Sequence, residues 1–257
     1  VIAGFWRLRT YESLPSTSDL CATLAAAGEP EGLAVMALRQ TAGRGSRGRH
    51  WESPPGNLYL SMLLRPPGML SEGGRWALLV AVALADALAA LVPDPAAIAL
   101  KWPNDVLLDG RKVSGILLDA AAHPHRHGPG GAAIDWMVIG CGVNLTHAPD
   151  VPGRRTACVA DVVAPPAPRA MADALLDRLA HWRSVRLLDG FGPVRAAWLA
   201  RAQPVGTALQ LAYDGRLLGG SFAGLADDGS LLLATGGRVE AFATGEVLLQ
   251  ADRPTGG

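Results

Sequence analysis

Three arginines interleave with three glycines in Thr41-Ala42-Gly43-Arg44-Gly45-Ser46-Arg47-Gly48-Arg49-His50-Trp51. Such a stretch can hold an anion in two ways at once, through backbone N–H groups that glycine leaves bare and through planar guanidinium forks. Gly43, Gly45 and Gly48 also spell G-x-G-x-x-G, the spacing of a dinucleotide turn. That turn needs a strand before it, a helix opening on its last glycine and an acidic residue about 20 positions later. Only the strand is present, at Leu33 to Leu38. After Gly48 come Arg49-His50-Trp51-Glu52-Ser53-Pro54-Pro55-Gly56, and two prolines with a glycine forbid a helix start. The expected arrangement is strand, loop, strand, with something negative on the loop. An NAD-dependent oxidoreductase is disfavoured.

The cations are unevenly chosen. Of 23 basic residues 21 are arginine, and the two lysines are Lys101 and Lys112, eleven positions apart. An ammonium is a compact point charge that enters spaces a guanidinium cannot, so the pair marks a pocket where charge must approach a phosphate or carboxylate closely. Both lysines flank Lys101-Trp102-Pro103-Asn104-Asp105-Val106-Leu107-Leu108-Asp109-Gly110-Arg111-Lys112-Val113-Ser114-Gly115, in which Asp109-Gly110 is a favoured two-residue hairpin turn. That turn sets Leu108 opposite Arg111, Leu107 opposite Lys112, Asp105 opposite Ser114 and Asn104 opposite Gly115. Side chains alternate along a strand, so Asp105 and Lys112 fall on one face and Asn104 and Gly115 on the other. A pocket using all four requires a twist or a bulge.

The elements that must position these residues are legible in outline. Ser16 to Ser18 supply an N-cap for a short amphipathic helix after a turn beginning near Thr10. Strands follow at Leu33 and Asn57, then a long apolar helix from Arg75 to Leu91, and a strand leading to Lys101. His123 to Gly131 reads as a Pro/Gly loop, with His123, His125 and His127 in a flexible insertion rather than a metal site. A strand from Ala133 ends at Gly142 and Asn144. Residues 169–202 read as two helices. Beyond Gln203-Pro204, short alternating runs separated by Asp214-Gly215, Asp228-Gly229 and Gly236-Gly237 predict a small β-barrel of roughly 45 residues.

A chain of 257 residues, 49% hydrophobic with no formal net charge, can bury a sizeable core and is unsuited to coating nucleic acid or acidic membrane. Cys21, Cys141 and Cys158 are odd in number and widely spaced, against both a disulfide framework and a zinc site, which fits a reducing cytoplasm. Cys141 is expected as a small buried residue. No export signal is visible, and the apolar run at Trp76 is too short to span a bilayer and carries Asp86.

Taken together, Ser-Thr-Ser-Asp at Ser16, the segment from Arg39 to Pro66, the segment from Lys101 to Asp119, Ile139-Gly140-Cys141-Gly142-Val143-Asn144-Leu145 and the terminal runs resemble the biotin–protein ligases over nearly the whole chain. The resemblance implies an α+β fold: a class II aminoacyl-tRNA synthetase-like catalytic domain over 1–202 and an SH3-like barrel over 203–252. It implies attack of the biotin carboxylate on the α-phosphate of ATP, with Mg²⁺, and transfer of biotin from biotinyl-adenylate to a lysine of a carrier domain of acetyl-CoA carboxylase or a related carboxylase. Under it, Ser16, Thr17 and Gln40 bond the ureido ring, with Gly43 and the backbone of Gly115 against the biotin. Arg44, Lys101 and Lys112 neutralise the meeting anions, Lys112 also standing at the biotin carboxylate. Asp105 places nucleotide or metal, no dedicated protein metal site being expected. Arg47, Arg49, Gly142 and Trp51 serve the nucleotide, Trp51 as a wall for adenine, and Asn104 and Asn144 read its edge.

The family commonly carries arginine where this chain has Ser46, which implies readier release of the adenylate. Too few residues precede Ser13 for the helix-turn-helix of relatives that are also repressors, so no operator binding is expected. Lipoate or octanoate transfer on the same fold is the nearest alternative, and a non-catalytic nucleotide-binding regulator a more distant one. The sequence leaves monomer and homodimer open.

Overall fold

The computed structural model describes residues 5–128 and 131–249. β1 (Arg7–Tyr11), α1 (Thr17–Ala26), β2 (Leu33–Ala37), β3 (Leu58–Leu64), α2 (Gly73–Ala89), β4 (Ile98–Lys101), β5 (Asp105–Leu108), β6 (Arg111–Gly128), β7 (Gly131–Val143), α3 (Pro168–Asp189) and α4 (Gly192–Leu199) form the larger part. Its seven strands run β1-β2-β3-β7-β6-β5-β4, with β1 parallel to β2 and every other pair antiparallel. β8 (Ala208–Tyr213), β9 (Arg216–Leu225), β10 (Leu231–Thr235), β11 (Arg238–Phe242) and β12 (Glu246–Leu249) make a second, antiparallel sheet in the order β11-β10-β9-β8-β12.

The large sheet is covered on both faces, so its central strands have little reason to alternate. β2 and β3 are buried throughout, as sheets coated on both sides require. One face carries α2, and the buried residues Leu58, Leu60, Met62 and Leu64 of β3 join its core. The other carries α1, whose Cys21 and Ala25 pack with Leu33, Val35, Leu63 and Val138. Asp86, which marked the apolar run as a core helix, is bonded by Trp182 Nε1 at 2.8 Å and Arg201 Nη2 at 2.6 Å. A carboxylate among leucines is thereby paired, as burial demands. Among the described residues no helix is long and apolar enough to cross a membrane.

Two expectations need correction. The chain from Arg7 to Tyr11, read partly as a turn, is an edge strand: its side chains are mostly exposed, so it offers no apolar pattern, and only pairing with buried β2 defines it. His123 to Gly128 is not a loop but the distal part of β6, laddered to β7 through His127–Ala132 and Gly128–Gly131, with Pro124 inside a register irregularity between Ala122 and His127. Cross-strand hydrogen bonding overrides the local turn composition there. The intervening residues Pro129 and Gly130 lie outside the described residues.

The composition shift after Pro204 is a change of sheet and not a break in the core. Leu209, Leu211, Phe222, Leu231, Leu233 and Val247 share one buried cluster with α2 and α3. Trp102 Nε1 donates to Gly229 O at 3.2 Å across the same boundary.

Candidate active site

On the α1 face, the central strands line up residue by residue. Tyr59 is opposite Gly142, which is opposite Gly115; Ser61 is opposite Gly140, which is opposite Leu117. Because alternate residues share a face, three missing side chains hollow out one patch while Ile139, Cys141 and Val143 fill the core behind it. The result is a groove with about 460 Å³ of free space, part of it open to solvent. The hollow is partly taken up by chosen neighbours. A Cβ on Gly140 would lie 2.6 Å from Ser18 Oγ, one on Gly142 2.5 Å from Trp51 Nε1, and one on Gly115 3.1 Å from Lys112 Nζ.

One end of the groove is a hydrogen-bonded polar cluster. Ser16 caps α1, its Oγ accepting from Asp19 N at 3.2 Å. Thr17 N and Oγ1 both donate to Gln40 Oε1, at 2.8 and 3.1 Å, and Gln40 Nε2 donates to Ser53 Oγ at 3.0 Å. Ser61 Oγ bonds Thr17 Oγ1 at 2.8 Å and Ser18 Oγ at 3.0 Å. Ser16, Thr17 and Gln40 come together at this end of the groove, joined by Ser18 and Ser61, which the sequence reading had not placed in the site. A serine in the apolar run Leu58-Tyr59-Leu60-Ser61-Met62-Leu63 was the available signal, since a buried hydroxyl needs partners.

Over the groove lies the arginine-glycine loop, a strand–loop–strand as expected, with a short 3₁₀ turn at Ser46–Gly48. Arg47 adopts φ 60°. Gly45 N donates to Arg49 O at 2.8 Å and Trp51 N to Gly43 O at 2.9 Å. Gly43 has no room for a side chain, because a Cβ would collide with Trp51 O and Ser53 Oγ. Arg44 lines the groove with Trp51, whose indole lies beneath Lys112 Nζ, 5.5 Å from the ring centroid. Arg44 bonds Asp19 and Asp119. The Asp19 hydrogen bond, against an opposing desolvation and with help from the Asp119 charge, raises its pKa further.

Arg47 and Arg49 are bonded instead to Glu246 of the second sheet, which Arg154 also grips. Burial pushes the Glu246 pKa up, but the Arg49 hydrogen bond and the charges of Arg154 and Arg49 outweigh it and hold the carboxyl below its ordinary value. A depressed carboxylate contributes stability fully present above its unfolded pKa and lost as pH falls through its folded one. Melting temperatures of the wild type and Glu246→Gln are expected to stay a constant interval apart above about pH 5, the unfolded group titrating near 4.3, and to converge in stronger acid. An interval independent of pH would show that the carboxylate tethers nothing.

Lys112, Asp105 and Lys101 form a triad in which Lys101 and Asp105 are buried and Lys112 is partly so: Asp105 Oδ1 is 2.5 Å from Lys112 Nζ, and Oδ2 is 3.4 Å from Lys101 Nζ. The hairpin explains how. Asp109 and Gly110 take φ 50° and 68°, as a two-residue turn of this kind requires. Leu108–Arg111 and Leu107–Lys112 pair as expected, but the register then slips, setting Val106 opposite Ser114 and Asp105 opposite Gly115. Val113 is the inserted residue, so the expected pairings of Asp105 with Ser114 and Asn104 with Gly115 are wrong by one. The bulge puts Gly115 on the groove face beside Lys112.

Lys101 lines a neighbouring cavity with Arg47, Arg49, Asp105 and Glu246, while Ser46 and Asn104 border both spaces. Asn104 Nδ2 donates to Ile116 O at 2.5 Å. Asn144 is 2% exposed, lines neither cavity, and its Nδ2 donates to Ala157 O at 3.0 Å, bracing the chain after β7. Cys141 is buried, which pushes its thiol up to about 12 and keeps it protonated.

Asn57 also escaped notice. It is 1% exposed, and its Oδ1 accepts from the backbone N–H of Leu145, Thr146 and His147 at 2.9 to 3.1 Å while Nδ2 donates to His147 O. Asn57→Ala is expected to cost roughly 2–4 kcal/mol, because several buried backbone donors lose their acceptor. Urea unfolding with an unchanged m-value would measure it, and a loss within error of zero would refute it.

The sheet, its hollowed face and the cations around it define a protein built to bring a small polar-ended ligand against an anionic one. Residues 11–144 match the Biotin/lipoate A/B protein ligase family, and the chain belongs to that family. It is 38% identical over 210 residues to the biotin–[acetyl-CoA-carboxylase] ligase of Paracoccus denitrificans, covering 77% of this chain and 82% of that protein. With the ligase of the same name from Mycobacterium tuberculosis it is 31% identical over 259 residues, covering 96% and 90%. The fold is similar to that of the Aquifex aeolicus biotin protein ligase solved with biotin and ATP, with a TM-score of 0.78 at 24% identity, covering 94% of this chain and 97% of that one.

Proposed function

We infer that the chain is an ATP-dependent biotin–protein ligase, which activates biotin as its adenylate and passes the biotinyl group to a lysine of a carboxylase carrier domain. The observation that carries the reading is the groove's two-ended chemistry: Thr17 and Gln40 at one end, Lys112 with Arg44 at the other. In the first step the biotin carboxylate oxygen bonds the α-phosphorus as the bond to the β-phosphate oxygen breaks, releasing pyrophosphate. In the second, the acceptor amine attacks the acyl carbon, loses a proton, and AMP departs with the bridging oxygen. Both anions must be neutralised and aligned before the first step, and fixed cations do this without reorganising.

Lys112 stands where the two anions meet. Trp51, whose buried Nε1 has no acceptor among the described residues, offers adenine a face and a spare donor. Arg47, Arg49 and Lys101 line the neighbouring space and suit the β- and γ-phosphates. Ser16, Thr17 and Gln40, with Ser18 and Ser61, suit a ureido ring, which needs both donors and acceptors, better than an acyl chain. Asn104 stays a candidate for the adenine edge.

Mg²⁺ fits the nucleotide better than the protein. Both Asp105 oxygens are engaged by ammonium groups, and among the described residues no three His, Cys, Asp or Glu side chains are grouped to hold a metal ion.

On this reading the second sheet is assigned as an SH3-like barrel domain that reaches the nucleotide end through Glu246, and the larger part before it as a class II aminoacyl-tRNA synthetase-like catalytic domain. The three cysteines are all free and suit a cytoplasmic enzyme.

Pyrophosphate exchange into ATP tests the reading, run with biotin, lipoate, octanoate or no acid. Exchange with biotin alone supports it. Exchange driven by lipoate or octanoate assigns the alternative substrate, and none at all removes the ligase.

A further inference from the structure

Arg44 reaches from the loop to carboxylates on opposite banks of the groove. Its Nη1 donates to Asp19 Oδ1 at 2.6 Å and to Asp119 Oδ2 at 3.0 Å, and Nη2 donates to Asp119 Oδ1 at 3.3 Å. Asp19 lies in the first turn of α1. Asp119 lies on β6, two residues beyond Leu117 and on the same face of the sheet. Asp119 is the less exposed partner, its side chain 28% accessible against 54% for Asp19, and it takes both prongs at the tip of the guanidinium.

The donor inventory then has a consequence. A guanidinium has five N–H groups. The aspartates take both on Nη1 and one on Nη2, which leaves Nε–H and the second Nη2–H, a parallel pair along the side of the fork, without an acceptor among the described residues. Two parallel N–H groups match an oxyanion bidentately.

We propose that Asp119, assisted by Asp19, is a positioning residue that latches the loop across the groove and orients Arg44 so that its remaining two-pronged edge meets the ligand's oxyanion. The part of this that concerns the adenylate rests on the ligase reading; the latch itself does not. Backbone bonds of Thr41 and Ala42 to Leu14 O and Pro15 O hold the start of the loop beside α1, and the Arg44 bridge carries the tie across to Asp119 on the opposite wall.

Asp119→Asn keeps shape and removes charge, and unlike a change at Asp19 it leaves the first turn of α1 untouched. Ligand-free wild type and variant are exposed to trypsin, and cleavage after Arg44 is followed by mass spectrometry. Cleavage is expected to quicken roughly fivefold, the size of a strong surface ion pair. Preformed biotinyl-adenylate is then chased from each protein without acceptor; its release is expected to quicken by a similar factor in Asp119→Asn but not further when Asp119→Asn is added to Arg44→Ala. Unchanged cleavage overturns the latch. Unchanged release, or an equal effect in the Arg44→Ala background, overturns the positioning of Arg44. Faster cleavage of Asp119→Asn, together with a wild type that forms no adenylate from biotin and ATP, leaves the latch standing and removes the ligase reading instead.

Discussion

Lys112→Ala is expected to slow biotin-dependent pyrophosphate exchange roughly a hundred- to a thousandfold, the usual effect of removing one fixed group from developing transition-state charge. The loss should appear in the first step and not in folding. Lys112 holds its place by backbone, its N–H donating to Arg155 O at 2.8 Å and its carbonyl accepting from Ala157 N at 2.9 Å, neither of which needs the side chain. Asp105 would keep Lys101 as a partner, so no isolated charge is left buried. Lys112→Arg should rescue little. The ammonium fits against the bare Cα of Gly115 and the Trp51 ring, and a planar fork has no room there. Rapid-quench detection of adenylate forming at the wild-type rate in Lys112→Ala would remove this residue from the chemistry.

Gly142→Ala should strike the nucleotide end with comparable clarity. The new Cβ would stand 2.5 Å from both Cε2 and Nε1 of Trp51, and a rigid indole whose backbone N–H is tied to Gly43 O can yield only by leaving its seat. Loss of a base-stacking surface is worth roughly 1–3 kcal/mol, so the KM for ATP is expected to rise about ten- to a hundredfold. Biotin affinity measured without ATP should change far less, because Ser18 and Ser61, to which Thr17 and through it Gln40 are bonded, stand at Gly140, two residues along the strand. A proportional fall in biotin affinity would show that Trp51 serves the whole groove and not its adenine end.

The strand–loop–strand around Gly43 to Trp51, the cap at Ser16, the turn at Asp109-Gly110 and the helix containing Asp86 were all legible, because each follows from neighbours within a few positions. The bulge at Val113 was legible only as a requirement: five residues of local alternation could not reconcile Lys112 with Gly115, and where the slip would fall depended on β7, with which Gly115 and Ser114 also pair. The arm from His123 to Gly128 misled for the same reason, its extension being imposed by a partner strand. Asn144 follows Gly142 by two positions, and alternation alone would set both on one face, but β7 ends at Val143 and the Asn144 side chain is taken by Ala157 O, a partner that no local pattern shows.

The chain's own order of residues determined the groove: glycines at alternate positions in Gly140-Cys141-Gly142 must leave hollows on one face and side chains on the other, whatever lies around them. It also determined the kinds of charge brought there, arginine on the loop and lysine in the hairpin. Tertiary structure alone decided which carboxylates those cations meet. Arg44 and Asp119 lie 75 positions apart and Arg47 and Glu246 199 apart, distances over which pairing is set by the order of strands in a sheet and the seating of one sheet on another, and no periodicity in the sequence encodes either.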